Sequence, residues 1–143
     1  MGAVIISLAG LGMVVYAAAF IFFSLTRLIE IGLSAAELNR TSEQIQAFSP
    51  EVYNYINHVQ VNLGAFIASA GLAVAALGWF GLRKGSAWSW WTITAMVAVW
   101  GMIGIPVHYP YGFGTLEHLG LPYLALVSIG VGLFLTRPRK GPR

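Results

Sequence analysis

The sequence predicts an all-α polytopic membrane protein, a single domain of four antiparallel transmembrane helices with both ends in the cytoplasm. Three observations predict it. Of 143 residues, 57% are hydrophobic and only 9% are charged, where soluble domains carry about 25% charged residues; so few charges cannot cover a soluble surface. The apolar residues fall in four blocks, each long enough for the roughly 20 helical residues that a hydrocarbon core of about 30 Å requires. Finally, arginine and lysine gather on alternate connections, the asymmetry that orients helices in a bilayer.

The first block runs over about 3–25. Ala17-Ala18-Ala19 imitates a signal-peptidase site, but no Lys or Arg precedes the apolar run. The run also continues through Phe20-Ile21-Phe22-Phe23, beyond the h-region length of about 7–15 residues. A retained span is expected. Residues 27–38 read as its helical continuation, with Leu28, Ile31 and Leu38 on one flank and Arg27 three residues before Glu30. That pair reads as a snorkelling surface pair.

Asn39-Arg40-Thr41-Ser42 reads as a turn, and Ser49-Pro50-Glu51 as an N-cap, a first-position proline and a first-turn acid. The second helix is therefore expected to begin near residue 50 and to carry Tyr53 and Tyr55 before its apolar block at 59–82. Small residues at Gly64, Ala68 and Ala75, with Ala65, Ser69 and Ala73 alongside, allow close approach of a neighbour. The third block, 88–107, opens with Trp88, Trp90 and Trp91 just after Arg83-Lys84-Gly85, at headgroup level. Thr92 and Thr94 are expected to bond back to their own helix. The connection 108–115 is a compact turn of Gly, Pro and aromatics, with Thr115 as N-cap for the block 116–135. Span four offers Ser128, Gly130 and Gly132 to a neighbour, and Pro106 and Pro122 are expected to bend the outer helix ends. Helices are expected over about 3–29, 52–82, 88–107 and 116–136, followed by a basic tail at 137–143.

Six of the eight basic residues, Arg83, Lys84, Arg137, Arg139, Lys140 and Arg143, fall on one side, which the positive-inside rule places in the cytoplasm. Arg27 and Arg40 lie on the other side with all five glutamates: Glu30, Glu37, Glu43, Glu51 and Glu117. The expected location is the inner (plasma) membrane. The chain has no cysteine, which excludes disulfides and thiolate chemistry. The net charge of +3 forms no basic stripe interleaved with aromatics, so nucleic acid is not an expected partner. With no charge at mid-membrane, an ion path within one copy is not expected either.

Chemistry concentrates at the outer level. His58, His108 and His118 lie at three helix ends, with Glu117 beside His118. Converging imidazoles and a carboxylate suit a metal such as Zn²⁺ or Cu²⁺, or acid–base catalysis. The same residues at polar helix ends need no ligand, and no H-x-x-x-H spacing supports a metal motif. Asn54, His58 and Asn62 repeat every four residues and so share a helix face. A buried amide in lipid needs a partner, so this face is expected to point into the bundle, as an outer pocket closed by Tyr109 or Tyr111 or as an interhelical hydrogen bond.

From Asn57 to Trp91, a polar helix start, Gly64, an Ala/Leu-rich run, Gly81-Leu82-Arg83-Lys84-Gly85 and Trp88-Ser89-Trp90-Trp91 resemble small bacterial four-helix membrane proteins, some of them loosely DoxX-like. The resemblance implies a four-helix bundle in a bacterial plasma membrane and no particular activity. The function expected first is an accessory subunit or binding module, partnered by lipid and by other membrane subunits or further copies of itself. The alternative is a small membrane enzyme or ligand-binding protein acting on an apolar substrate through the His/Glu pocket. No cofactor is required by the sequence.

Overall fold

Four of the helices start where the sequence supplies a side-chain acceptor for a backbone N–H. Ser49 Oγ accepts from Val52 N at 3.2 Å, with Pro50 in the first turn. Thr115 Oγ1 accepts from His118 N at 3.2 Å, and Ser86 caps the turn that holds Ser89. Thr41 and Gln44 form a reciprocal capping box, Gln44 N donating to Thr41 Oγ1 at 3.3 Å and Thr41 N to Gln44 Oε1 at 3.0 Å.

The structure, a computed structural model, describes residues 1–27 and 35–138. Helix α1 spans Gly2–Arg27, α2 Ala35–Leu38, α3 Ser42–Phe48, α4 Pro50–Ala76, α5 Ala87–Val99 and α6 Leu116–Leu135. Helix α4 continues through a π-turn, Leu77–Gly81, and a 3-10 turn, Leu82–Lys84; α5 continues likewise through Trp100–Gly104 and Pro106–His108. No strand occurs among the described residues. The expected pairing of Arg27 with Glu30 and the residues 139–143 of the basic tail fall outside what is described.

Four helices are long and apolar enough to cross a membrane: Gly2–Thr26, Pro50–Lys84, Ala87–His108 and Leu116–Leu135. They are unequal. The second has 35 residues, about 52 Å at 1.5 Å per residue, against a core of about 30 Å. Counting roughly 20 residues back from Arg83 reaches the neighbourhood of Leu63. The helix is thus longer than a single upright crossing needs, and its first turns lie beside α3.

Glycine sets how α1 meets α4. Gly64, Gly71 and Gly78 recur every seven residues and form one row, all buried. A Cβ on Gly71 would lie 2.7 Å from Gly10 O, and one on Gly10 would lie 2.5 Å from Ala75 N and 2.6 Å from Gly71 O. Residue 78 meets Ser7, residue 71 meets Gly10, and residue 64 meets Ile21, so numbers rise along one helix as they fall along the other. The two backbones touch with no side chain between them, the close approach that small residues permit in membranes. Ser7 Oγ donates to Ala3 O at 2.9 Å and lies 3.3 Å from Ala75 O.

Helix α6 takes another flank of α1, where Gly132 meets Ile6 and Gly2. The apolar core gathers at this end, from Ala3, Ile6, Val74, Leu82, Ile93, Ile129 and Leu133. Helix α5 is the peripheral one: 11% of its span is buried, against 28% for α1 and α6. It is pinned by Trp90 Nε1, which donates to Leu133 O at 2.8 Å and satisfies a carbonyl near the end of α6. Thr92 and Thr94 donate to Trp88 O and Trp90 O of their own helix. Gly130 of α6 and Ala65, Ser69 and Ala73 of α4, all small, are exposed rather than packed.

Candidate functional site

The docking of α1 on the glycine row fixes the rotation of α4, and with it the fate of every polar residue on that helix. The buried side carries Gln60 and Gly64, with Asn57 half-buried beside them. Asn54, His58 and Asn62 are exposed. This corrects the expectation that they face the bundle interior. The physical reason is that the inward face is claimed by glycine, which packs against α1. Asn62 meets part of its need locally, its Nδ2 donating to His58 O at 2.8 Å.

The turn between α5 and α6 folds back on itself. Phe113 N donates to His108 O at 2.9 Å and Gly112 N to Tyr109 O at 3.1 Å. Gly112 takes φ +81°, which glycine alone adopts without strain. Closing the turn brings His108 onto His118, ring centroids 5.0 Å apart and inclined by 49°. Phe113 stands 6.2 Å from the His118 ring. His118 is buried, with 9% of its surface exposed, and His108 is half-buried.

Tyr109 does not close over a pocket. It is exposed and its hydroxyl lies 2.6 Å from that of Tyr123, while Tyr111 is exposed at the tip. Glu117 points outward. Thr115 Oγ1 instead reaches Glu37 of α2, donating to its Oε1 at 3.3 Å. Nearby in α3, hydrogen bonds from its own backbone and from Thr41 hold the Glu43 carboxyl below the ordinary carboxylate range.

Two of the three histidines named by the sequence therefore come together and the third does not. Among the described residues no group of three His, Cys, Asp or Glu side chains is placed to hold a metal ion, so His58 does not join His108 and His118 in such a group. Two imidazoles without a third ligand fall short of the coordination zinc requires. Two open cavities lie elsewhere. One, about 490 Å³, borders Gly2, Trp79, Arg83 and Leu135; the other, about 460 Å³, borders Thr26, Thr41, Gln46 and Tyr53. Neither is lined by a predicted site residue.

The sequence reading missed Asn57, Gln60, Glu37 and Tyr123. Asn57 and Gln60 carried a usable signal, because Asn57 precedes Gly64 by one heptad and Gln60 by one turn. Asn57 Oδ1 and His108 Nδ1 are buried and have no hydrogen-bond partner among the described residues. No known family model, curated protein or solved structure matches this chain.

Proposed function

We propose that this is a multi-pass protein of a bacterial plasma membrane, an antiparallel four-helix bundle with both ends and the 83–87 turn in the cytoplasm. It works by docking partner helices, as an accessory subunit or binding module. The charge distribution supports the orientation: Arg83 and Arg137 lie at one end, stacked over Trp79 at 4.0 Å and over Phe134 at 5.3 Å. Glu43, Glu51 and Glu117 lie at the other. The resemblance to small bacterial four-helix membrane proteins points the same way.

One observation carries the docking role. Helix α4 uses one face against α1 and leaves the opposite face exposed along its length, and its span of 35 residues exceeds the roughly 20 that one crossing needs. The test is extraction from native membranes in mild detergent followed by native mass measurement. A bound protein chain is expected; a bare monomer would contradict the role.

A second reading, an outer-face site for an apolar ligand with a polar end, is favoured by the His108–His118 contact and the unpartnered buried atoms of Asn57 and His108. Native mass measurement also tests it, since a copurifying small molecule lost in His118→Ala is expected, and its absence from both proteins refutes it.

A further inference from the structure

The larger of the two open cavities, about 490 Å³, lies at the basic end of the bundle and falls within the roughly 300–1,000 Å³ of small-ligand sites. Three helix ends meet around it. Val4 comes from the first turn of α1, Trp79, Leu82 and Arg83 from the end of the second crossing, and Leu135 and Thr136 from the end of α6. Arg83 is the one charged side chain described in its wall. The guanidinium Cζ lies 4.0 Å from the centroid of the Trp79 ring, so indole takes up its flat face and its N–H edges are left to meet something else. Donors held edge-on in a fixed plane fit the paired oxygens of a phosphate or carboxylate. No carboxylate among the described residues can take that place. Glu37 and Glu43 belong to α2 and α3, Glu51 and Glu117 to the first turns of α4 and α6, and the chain has no aspartate. Lys84 and Arg137 stand exposed at the same end as Arg83 and add to an unopposed positive field. The N–H groups of Gly2 and Ala3 border the same space, and the first turn of a helix gives them no acceptor.

We infer that this cavity seats the phosphate of an anionic glycerophospholipid, held edge-on by Arg83. The apolar part of the wall favours a lipid over a soluble anion. Val4, Leu82 and Leu135 form one side of the cavity, and Val4 also opens a ridge with Leu8, Leu11 and Val15, spaced four, three and four and so on one face of α1. All four are exposed, from 40% to 70%. A soluble phosphate makes no use of such a ridge, whereas an amphiphile lays its acyl chains along it while its headgroup stays at Arg83. A headgroup that also carries a cation is disfavoured, because that cation enters the field of Arg83, Lys84 and Arg137 with no carboxylate to receive it. Basic pockets between helix ends bind anionic headgroups for this reason. The site lies apart from the uncovered face of α4 and does not depend on the docking role.

The test is native mass measurement on the full chain, stripped of lipid in mild detergent and titrated with phosphatidylglycerol. One firmly held lipid per chain is expected, with phosphatidylcholine held about fivefold or more weaker. Arg83→Gln should weaken phosphatidylglycerol about fivefold to tenfold, while Arg40→Gln, exposed and at the other end, leaves it unchanged. Val4→Trp keeps every charge but fills the cavity from a position already 40% exposed; it should remove the bound lipid with no change in far-UV circular dichroism. Inorganic phosphate in large excess should not displace the lipid. Phosphatidylcholine held as firmly as phosphatidylglycerol would overturn the charge preference, and with it the inference. Wild-type binding by Arg83→Gln would remove the guanidinium as the anchor, and wild-type binding by Val4→Trp would remove the cavity as the seat; either overturns it. Displacement by inorganic phosphate would make this a site for a free anion and overturn the assignment to lipid.

Discussion

The contact between α1 and α4 sets the position of everything else, and Gly71→Ala tests it. The added Cβ would lie 2.7 Å from Gly10 O, 2.9 Å from Met13 Cβ and 3.1 Å from Val14 Cγ2. The nearest of these is a backbone oxygen, which cannot rotate aside. Restoring an ordinary contact of 3.4 Å requires the helices to separate by about 0.7 Å, or the α1 backbone to distort locally. Overpacking of this kind costs about 1–3 kcal/mol, offset in part by the roughly 0.5–1 kcal/mol that alanine gains over glycine within a helix. A net loss of about 1–2 kcal/mol follows. Gly10→Ala meets Ala75 N and Gly71 O, at 2.5 and 2.6 Å, and should lose at least as much. Gly12 and Gly130 supply the controls, since a Cβ there meets nothing within 4 Å; their alanine variants should be neutral or slightly stabilised. The assay is reversible unfolding in mixed micelles with increasing SDS, followed by far-UV circular dichroism. If all four variants unfold within about 0.5 kcal/mol of one another, below the smallest overpacking cost, the glycine contact is not what holds α1 to α4.

Trp90→Phe keeps an aromatic ring but removes the indole N–H that donates to Leu133 O and part of the surface packed on the core; a loss of at least about 0.5–1.5 kcal/mol is expected in the same assay, with a smaller effect for the exposed Trp91→Phe. Gly114→Ala drives a Cβ to 2.5 Å from Tyr109 Cδ1; it should open the 108–115 turn and raise hydrogen exchange at Gly112 N and Phe113 N, whereas Tyr111→Ala should not. The lowered carboxyl of Glu43 has a definite pH consequence: its contribution to α3 is fully present above the unfolded carboxylate range and fades as pH falls through the lower folded value. Amide exchange over residues 42–48 should therefore rise on acidification into and below that range, and the rise should shrink in Thr41→Val; an acid response unaltered by that substitution would remove Thr41 as a cause.

The long apolar blocks made four helices legible, because nothing but a helix pairs its backbone groups over such a run in lipid. The caps at Ser49 and Thr115 were equally legible, since a hydroxyl before a helix start has few other uses. The rotation of α4 was not. Asn54, His58 and Asn62 looked inward on the premise of lipid at every depth, and a helix of 35 residues is longer than that premise requires. The glycine row was in plain sight, but at a seven-residue spacing that is easily passed over beside Ala65, Ser69 and Ala73, four residues apart. The contact of His108 with His118 depends on how the eight-residue connection 108–115 closes, and Gly112 at φ +81° decides that. The hydroxyl pair of Tyr109 and Tyr123 depends on the same closure.

The orientation of the four crossings is tested most directly by labelling. Lys84→Cys and Tyr111→Cys both place an exposed thiol in the cysteine-free chain, one in each turn at the two ends of α5. In intact cells an impermeant maleimide should label position 111 and reach position 84 only after the membrane is opened. Labelling of both positions in intact cells would contradict the crossing pattern and the site levels that depend on it.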